Sequence, residues 1–167
     1  PVPPPPEDPW IPPDPQPPRD PLVIDLSRSG VDLVALTQSQ AHFDFEGDGF
    51  AEKTGWVGPH TGILFHDVNG DGLTQSGEIF GDANRDGYAA LAQLDSNGDG
   101  VISALDAEFV RIKVWMDANG DGVAQAGEVH TLSDLDIAEL GLEKVISTDT
   151  QGGYIIGFRG HYTATDG

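Results

Sequence analysis

Asp67-Val68-Asn69-Gly70-Asp71-Gly72, closed six residues later by Glu78, is one of three copies of a single pattern in this chain. The other copies begin at Asp95 and Asp117 and have the same design. In each copy, oxygen-bearing side chains stand at positions 1, 3, 5 and 12, and glycine stands at position 6. Alternate residues of a tightly wound loop point to one centre, so the pattern predicts a site for a hard cation.

The predicted ion is calcium, bound in three EF-hand-type loops. Position 7 supplies only its backbone carbonyl, and the acid at position 12 can bind through both oxygens. The chain has no cysteine and its five histidines are scattered, so zinc and soft metals lack ligands. Magnesium prefers a tighter octahedral shell that keeps water. The alternative is a set of Asx-rich turns without metal. The predicted ligands are Asp67, Asn69, Asp71, Leu73 and Glu78; Asp95, Asn97, Asp99, Val101 and Asp106; and Asp117, Asn119, Asp121, Val123 and Glu128.

Two partial copies lack the closing acid, because Gly55 and Gln93 stand at their twelfth positions. A distant carboxylate can complete either one, which would bring calcium to four or five sites; otherwise both are Asx turns. The candidate ligands are Asp44, Glu46, Asp48, Phe50 and Glu52 in the first partial loop, and Asp82, Asn84 and Asp86 in the second.

The charge of the chain restricts its partners. Its 167 residues include 28 acids and 8 bases, a formal net charge of −20. Three calcium ions would add six charges and bring it to −14, whereas without them the loop acids repel one another and loosen the fold. Such acidity argues against nucleic acid and anionic membranes. The sequence has no apolar run of 18 residues, so no membrane insertion is expected.

The absence of cysteine excludes disulfides. Calcium is abundant outside cells, so a secreted, extracellular or cell-surface protein that uses calcium in place of disulfides is the expected class. The opening Pro-Val-Pro-Pro-Pro-Pro is not a signal peptide, and we interpret the chain as a piece of a larger protein.

The chain divides into residues 1–20, an extended proline-rich linker, and residues 21–167, one domain. Strands are predicted over 21–26, 31–36, 62–66, 112–116 and 154–158, with a turn at 27–30. Helices are predicted over 87–94, 103–111 and 133–140, the last capped by Thr131 or Ser133. The second loop is then the closest to a helix–loop–helix, whereas the first and third follow strands. The expected fold class is α+β, a single calcium-stabilised domain built on EF-hand-like loops with short strands and helices.

Several stretches resemble one family across roughly residues 20–166. They are Asp20-Pro21-Leu22-Val23-Ile24-Asp25-Leu26, Phe50-Ala51-Glu52-Lys53-Thr54-Gly55-Trp56-Val57-Gly58, Gly77-Glu78-Ile79-Phe80-Gly81-Asp82, residues 87–99 and Val114-Trp115-Met116-Asp117. Together they resemble the calcium-dependent self-processing module of RTX (repeat-in-toxin) proteins of the iron-regulated FrpC type, also found in large RTX adhesins. The resemblance implies type I secretion into a calcium-rich exterior.

The resemblance implies that the chain cuts its own Asp20–Pro21 bond, which makes Asp20 and Pro21 the candidate catalytic residues. The new aspartyl end can then couple to a lysine amine, with Lys53, Lys113, Lys144 or a lysine of a neighbouring protein as acceptor. Asp8-Pro9 and Asp14-Pro15 are also Asp-Pro pairs, but only Pro21 is followed by the first predicted strand.

The sequence departs from the family at two places. Asp25-Leu26-Ser27-Arg28-Ser29-Gly30 stands where the family has Asp-Leu-Asp-Gly-Asp-Gly, so a calcium site next to the scissile bond is weakened. The chain also stops short of the family's expected last segment. The alternative function is therefore a non-catalytic, calcium-rigidified structural or interaction domain of an adhesin. A dockerin-like binding module is a third class, although dockerins are shorter and pair two such loops.

Overall fold

A computed structural model describes residues 21–82 and 85–166, which contain thirteen short strands and one α-helix. The linker predicted over residues 1–20 lies outside the described residues. Two 3-10 helices span Phe109–Arg111 and Ser133–Leu135. The other elements are β1 Val23–Asp25, β2 Leu33–Val34, β3 His42–Phe43, β4 Glu52–Lys53, β5 Trp56–Val57, β6 Thr61–His66, α1 Gly87–Ala92, β7 Val101–Ser103, β8 Ile112–Trp115, β9 Val129–Thr131, β10 Ile137–Gly141, β11 Val145–Gln151, β12 Tyr154–Arg159 and β13 Tyr162–Ala164.

The central element is a four-stranded antiparallel sheet in the order β1-β6-β8-β9. Strand β6 is apolar and buried along nearly its whole length, so both faces of the sheet are covered. Ile63 lies opposite Val23 on one side and Trp115 on the other. Because side chains alternate across a strand, Leu64 points away from Ile63 and Phe65 and into a different core.

Each face of this sheet has its own hydrophobic core. The larger core contains Leu64, Leu91, Ile102 and Ile112, and joins the sheet to α1, β7 and β10. The second core is aromatic and comprises Phe43, Trp56, Phe65 and Trp115 with their neighbours. Its two indole rings lie 5.2 Å apart between centroids at an interplanar angle of 71°. Burial of these large side chains supplies much of the favourable free energy of folding.

Smaller antiparallel pairs surround the central sheet. One three-stranded sheet has the order β13-β10-β7, and two-stranded pairs form between β2 and β5, β3 and β4, and β11 and β12. The β11–β12 hairpin is largely exposed along both strands. Its turn contacts the body at β2, where the position of a Cβ on Gly152 would lie 2.2 Å from the carbonyl oxygen of Leu33.

The α+β fold class was wrong: the described domain consists mostly of short strands in several antiparallel sheets, with a single helix of six residues. The helix predicted over 103–111 is replaced by β7 and a 3-10 turn. Ile102 is buried and pairs with Leu140 on β10, whereas Leu105 and Val110, two apolar residues of the predicted helix, are 77% and 71% exposed. The second loop is therefore not a helix–loop–helix.

The helix predicted over 133–140 also gives way to a strand. After one 3-10 turn, Asp136 adopts a left-handed backbone with φ of 56°, and the chain continues as β10. Thr131 Oγ1 accepts a hydrogen bond from the Asp134 N–H, but the N-cap of this turn is Leu132, which makes no side-chain cap hydrogen bond, so the predicted cap at Thr131 or Ser133 was wrong. The helix at 87–94 is confirmed as Gly87–Ala92.

The predicted strands agree with β1, β2, β6, β8 and β12. The first and third loops do follow strands, β6 and β8. β1 and β2 nevertheless lie in different sheets, because β1 pairs with β6 and β2 with β5. Within the two described ranges, no helix has the length and apolar character needed to cross a membrane.

Candidate metal centres

The three complete loops have the same internal hydrogen bonds at their first residue. Both carboxylate oxygens of Asp67 accept backbone N–H groups, from Gly70 over 2.8 Å and from Gly72 over 3.1 Å. The two glycines have φ of 76° and 73°, a left-handed backbone that side chains disfavour. Asp95 and Asp117 accept N–H groups from the equivalent glycines. Positions 1, 4 and 6 thus fold each loop into one compact turn.

The closing acid binds the other end of each loop. The two carboxylate oxygens of Glu78 accept the N–H groups of positions 2 and 9, Val68 and Gln75, each over 3.1 Å. Glu128 does the same with Ala118 and Gln125. The shorter Asp106 reaches Ser96 and Ser103 at 2.8 and 2.9 Å. The first and twelfth residues therefore accept hydrogen bonds from the same four backbone N–H groups, at positions 2, 4, 6 and 9, in all three copies.

Positions 3 and 5 are paired through an amide. In each loop the asparagine Nδ2 donates to the aspartate two residues later, over 3.0 Å. That aspartate also accepts the N–H of position 7, which in the first loop is Leu73. The hydrogen bond from the Leu73 N–H, followed by that from Gln75, lowers the pKa of Asp71. The pKa of Asp121 is lowered chiefly by the Val123 N–H. Donors facing the charged form keep both carboxylates ionised.

The donor set suits a hard cation because every side chain at positions 1, 3, 5 and 12 carries oxygen, and position 7 offers a carbonyl. Among residues 21–82 and 85–166, however, no group of three or more Asp, Glu, His or Cys side chains is gathered as a metal cluster. The carboxylates instead point to N–H groups of their own loops. One of the four predicted side-chain ligands in each loop is an asparagine, so acidic groups alone do not make up the set.

The third loop is the most deeply embedded. Asp117 is 1% exposed, and its Oδ2 accepts a hydrogen bond over 2.7 Å from Trp56 Nε1, an indole of the aromatic core. The loop backbone also lies against β3, because the His42 N–H donates to the carbonyl of Asp121. Sequence reasoning missed Trp56, since 61 residues separate it from Asp117 and no local pattern joins them.

The first loop is close to a cation of the protein itself. Lys113 Nζ lies 3.9 Å from Oδ2 of the buried Asp67. Lys113 stands on β8, which pairs with the strand leading into this loop. A lysine at this distance offsets part of the loop's negative charge.

The partial loop at Asp44 folds as the complete ones do. Asp44 accepts N–H groups from Gly47 and Gly49 at 2.6 and 2.8 Å, and Asp48 accepts that of Phe50 at 2.9 Å. Backbone hydrogen bonds lower the pKa of Asp44, and the bond from the Gly49 N–H is the largest cause. Glu52 lies on β4, and both Glu52 and Glu46 are exposed.

The partial loop at Asp82 diverges from the pattern. Asp82 accepts the Arg85 N–H over 3.0 Å, but Asp86 is the N-cap of α1 and accepts the Ala89 N–H. Asp86 also pairs with Lys144 Nζ over 2.9 Å, the largest cause of its lowered pKa. Asn84 lies outside the described residues.

A further loop of the same shape surrounds Asp25, with altered side chains. Asp25 accepts the N–H groups of Ser27 and Gly30 at 2.9 and 2.7 Å. The Ser27 and Ser29 hydroxyl oxygens lie 2.6 Å apart at positions 3 and 5. Arg28 occupies position 4 with φ of 60°, where the complete loops have glycine. The turn therefore persists although two of its side-chain oxygens are hydroxyls instead of carboxylates.

The proposed scissile bond lies at the edge of the described domain. Asp20 is outside the described residues, whereas Pro21 and Leu22 precede β1. The Leu22 N–H donates to the Phe80 carbonyl, and the Leu22 carbonyl accepts the Leu64 N–H over 2.9 Å. Leu22 is buried in the larger core, so the chain on the carboxyl side of the bond is anchored.

Comparison with known proteins gives the family. Residues 22–167 match the SPM domain. Over 159 residues, 89% of this chain, the sequence is 40% identical to the iron-regulated protein FrpA of Neisseria meningitidis serogroup C. The aligned part represents 14% of that protein's length, so the chain corresponds to one portion of this relative. The chain belongs to the SPM domain family.

Proposed function

We propose that this chain is an extracellular calcium-binding module of an RTX-type secreted protein or adhesin, which folds on calcium and cleaves its own Asp20–Pro21 bond. The observation that carries the calcium part is the threefold repetition of one hydrogen-bonded loop in a chain of net charge −20. Positions 1, 3, 5, 7 and 12 of each loop would hold the ion. Calcium would supply the positive charge that lets these acids approach one another.

Support for cleavage comes from membership of the SPM family and from the anchored segment beyond the bond. The Asp20 carboxylate attacks its own main-chain carbonyl carbon, and a five-membered anhydride forms as the bond to the Pro21 nitrogen breaks. That nitrogen takes a proton from solvent. The reaction is intramolecular, so it gains the large effective molarity of aligned groups. Proline provides a tertiary amide without N–H, and twisting it reduces resonance and makes the nitrogen a better leaving group.

The anhydride has two ways to open. Water gives a chain that ends in Asp20 with two free carboxyl groups. A lysine amine instead forms an isopeptide amide and leaves one carboxylate. Within this chain Lys53 suits the acceptor role best, because it is exposed on β4. Lys144 is bound to Asp86 and lies 4.1 Å from the centre of the Phe158 ring, and Lys113 lies beside Asp67.

The test of cleavage is the mass of the intact chain after incubation with calcium, compared with a chelator. We expect one fragment that ends at Asp20 and one that starts at Pro21. Asp20→Ala should abolish both, because alanine has no carboxyl group to form the anhydride. Asp14→Ala is the matched control, since it removes an equivalent Asp-Pro pair, and its cleavage should be unchanged. Cleavage that persists in Asp20→Ala would exclude the anhydride route.

A second candidate function is a non-catalytic, calcium-rigidified structural or interaction domain. The altered Asp25 loop favours it, because Ser27 and Ser29 replace two carboxylates of the family pattern and Arg28 replaces a glycine, seven to nine residues after the scissile bond. The triple variant Ser27→Asp, Arg28→Gly, Ser29→Asp separates the two functions. If the lost site limits cleavage, this variant should cut faster than the natural sequence in calcium. No cleavage by either protein would support the structural role.

A further inference from the structure

We propose that residues 1–20, the proline-rich segment of this same chain, bind in an aromatic groove between the β11–β12 hairpin and the body of the domain. The groove has a volume of about 1420 Å³. Sites for small molecules in proteins usually measure roughly 300–1,000 Å³. A groove of this size fits a stretch of polypeptide better than it fits a small ligand.

The walls of the groove are aromatic and apolar. Trp56 lines it from β5, Tyr88 from α1, and Tyr154 and Phe158 from β12. Ile155 is another lining residue and is 74% exposed in the described domain. Apolar side chains that face open space along a groove mark a surface that binds a partner. Aromatic-lined grooves are the surfaces on which proline-rich segments bind in the polyproline II conformation.

Charge distinguishes this groove from the rest of the domain. Its lining includes three of the eight basic residues of the chain, Arg28, Lys53 and Arg159, with two acids, Asp25 and Glu52. Arg159 is paired with Asp149 over 2.8 Å, so with that acid counted three bases and three acids leave the lining without net charge, in a chain of net charge −20. Residues 1–20 contain four acids and Arg19, a net charge of −3. An acidic proline-rich segment is therefore repelled less here than by most of the remaining surface.

The segment is already tethered at the groove. Pro21, the first described residue, is part of the lining, and residues 1–20 lead directly into it. Eleven of those twenty residues are proline, so the segment loses little conformational entropy on binding. At roughly 3.1 Å per residue it spans at most about 60 Å. A tether of this length gives an effective concentration on the order of millimolar, so weak contacts suffice.

The groove also brings this segment close to the calcium loops. Trp56 lines the groove and donates to Asp117 of the third loop. The proposal does not rest on cleavage, because it concerns where residues 1–20 lie while they remain attached.

The experiment uses the full chain with Asp20→Ala in every sample, so that the segment stays attached whether or not the natural chain cuts itself. The chain has no cysteine, so Ile11→Cys gives a single site for a nitroxide spin label. Paramagnetic broadening of amide signals is measured in isotopically labelled protein. We expect at least a twofold loss of signal intensity at Gly55 and at Tyr154–Arg159. Leu105 and Val110, exposed apolar residues outside the groove lining, should keep their intensity.

Two matched pairs of variants locate the contact. Ile155→Asp should restore the groove signals, whereas Ile146→Asp, at an equally exposed position of the same hairpin outside the lining, should not. Lys53→Glu should weaken the broadening, and Arg111→Glu should leave it unchanged. An undisturbed amide spectrum elsewhere shows that each variant is folded.

Three results would overturn the proposal. One is the absence of broadening in the groove, and another is uniform broadening over the whole domain. The third is broadening in a mixture of spin-labelled, isotope-free chain with isotope-labelled chain lacking the label, which would assign the groove to a second copy. If the natural chain does not cleave itself but the spin label still broadens the groove signals in Asp20→Ala, the proposed activity is refuted and this proposal stands.

Discussion

The hydrogen bond from Trp56 to Asp117 connects the third loop to the aromatic core through one nitrogen and one oxygen, 2.7 Å apart. We expect Trp56→Phe to destabilise the domain by about 1–3 kcal/mol more than Trp115→Phe, because a hydrogen bond to a buried carboxylate is lost. Trp115 is the matched control: it belongs to the same core, and its Nε1 is buried without a partner among the described residues. Urea unfolding of both variants measures the difference, and equal losses would contradict it.

Asp134 gives a prediction about pH. Its carboxylate accepts the Thr131 N–H over 3.0 Å, which is the main reason that its pKa is lowered. The folded state thus holds the proton less tightly than the unfolded state, where the pKa is about 3.9. The stabilisation that ionised Asp134 gives the folded state is complete above the unfolded-state pKa, and it is lost as the pH falls through the lower folded-state pKa.

Asp134→Asn should therefore be less stable than the natural protein at pH 7, and the difference should shrink as the pH falls below about 4. Melting temperatures of the two proteins from pH 7 down to pH 2.5 measure it. Asp136→Asn, which alters a neighbouring acid, is the control. A difference that stays constant over this range would show that the charge of Asp134 plays no part.

At the scale of elements, the β11–β12 turn gives a matched pair. Gly152→Ala should destabilise the attachment of the hairpin, because its φ is 57° and its new Cβ would lie 2.2 Å from the Leu33 carbonyl oxygen. At Gly153 φ is 86°, and an added Cβ would meet no atom within 4 Å. Gly153→Ala should therefore lower the stability only by the backbone strain, about 1 kcal/mol. Hydrogen exchange of the amides on β2 and β5 should rise in Gly152→Ala and stay near natural in Gly153→Ala.

The elements also show what the sequence could predict. Strands rich in apolar residues, such as β6 and β8, were predicted well because most of their residues are buried. The segment at 103–111 was wrongly predicted to be a helix; its large apolar residues are Leu105, Phe109 and Val110. Only Phe109 is buried, however. Pairing of β7 with β10, about forty residues away, decided the structure, and such tertiary contacts override local propensity.

For the whole molecule, we expect calcium to raise the melting temperature of metal-free protein progressively with its concentration. Binding to the folded state alone contributes about 2.7 kcal/mol per site at a hundred times the dissociation constant. Glu78→Gln and Glu128→Gln should each reduce the bound calcium, measured by titration calorimetry, by one site. Magnesium at equal ionic strength is the control for screening of the −20 charge. A melting temperature unaffected by calcium would contradict calcium-linked folding.

At this scale the sequence predicted where the repeated loops lie, since their spacing is local, and their role as calcium ligands stays a prediction. The turn around Asp25 could also be located, because the backbone pattern survives the replacement of its carboxylates. The arrangement of the loops could not be predicted. It depends on contacts such as Trp56 with Asp117 and Ser76 with the Phe45 carbonyl, between residues far apart in the chain.

The two indoles of the aromatic core, 5.2 Å apart and inclined at 71°, have an optical consequence. The transition dipoles of two indole rings so close together, in planes so strongly inclined, couple as excitons, and their circular-dichroism bands of opposite sign overlap the far-ultraviolet signal of the peptide backbone. Secondary-structure content fitted to that spectrum will therefore be distorted in this strand-rich domain. Subtracting the spectrum of a folded Trp56→Phe or Trp115→Phe protein isolates the couplet, whose amplitude then reports the packing of this one core separately from the backbone.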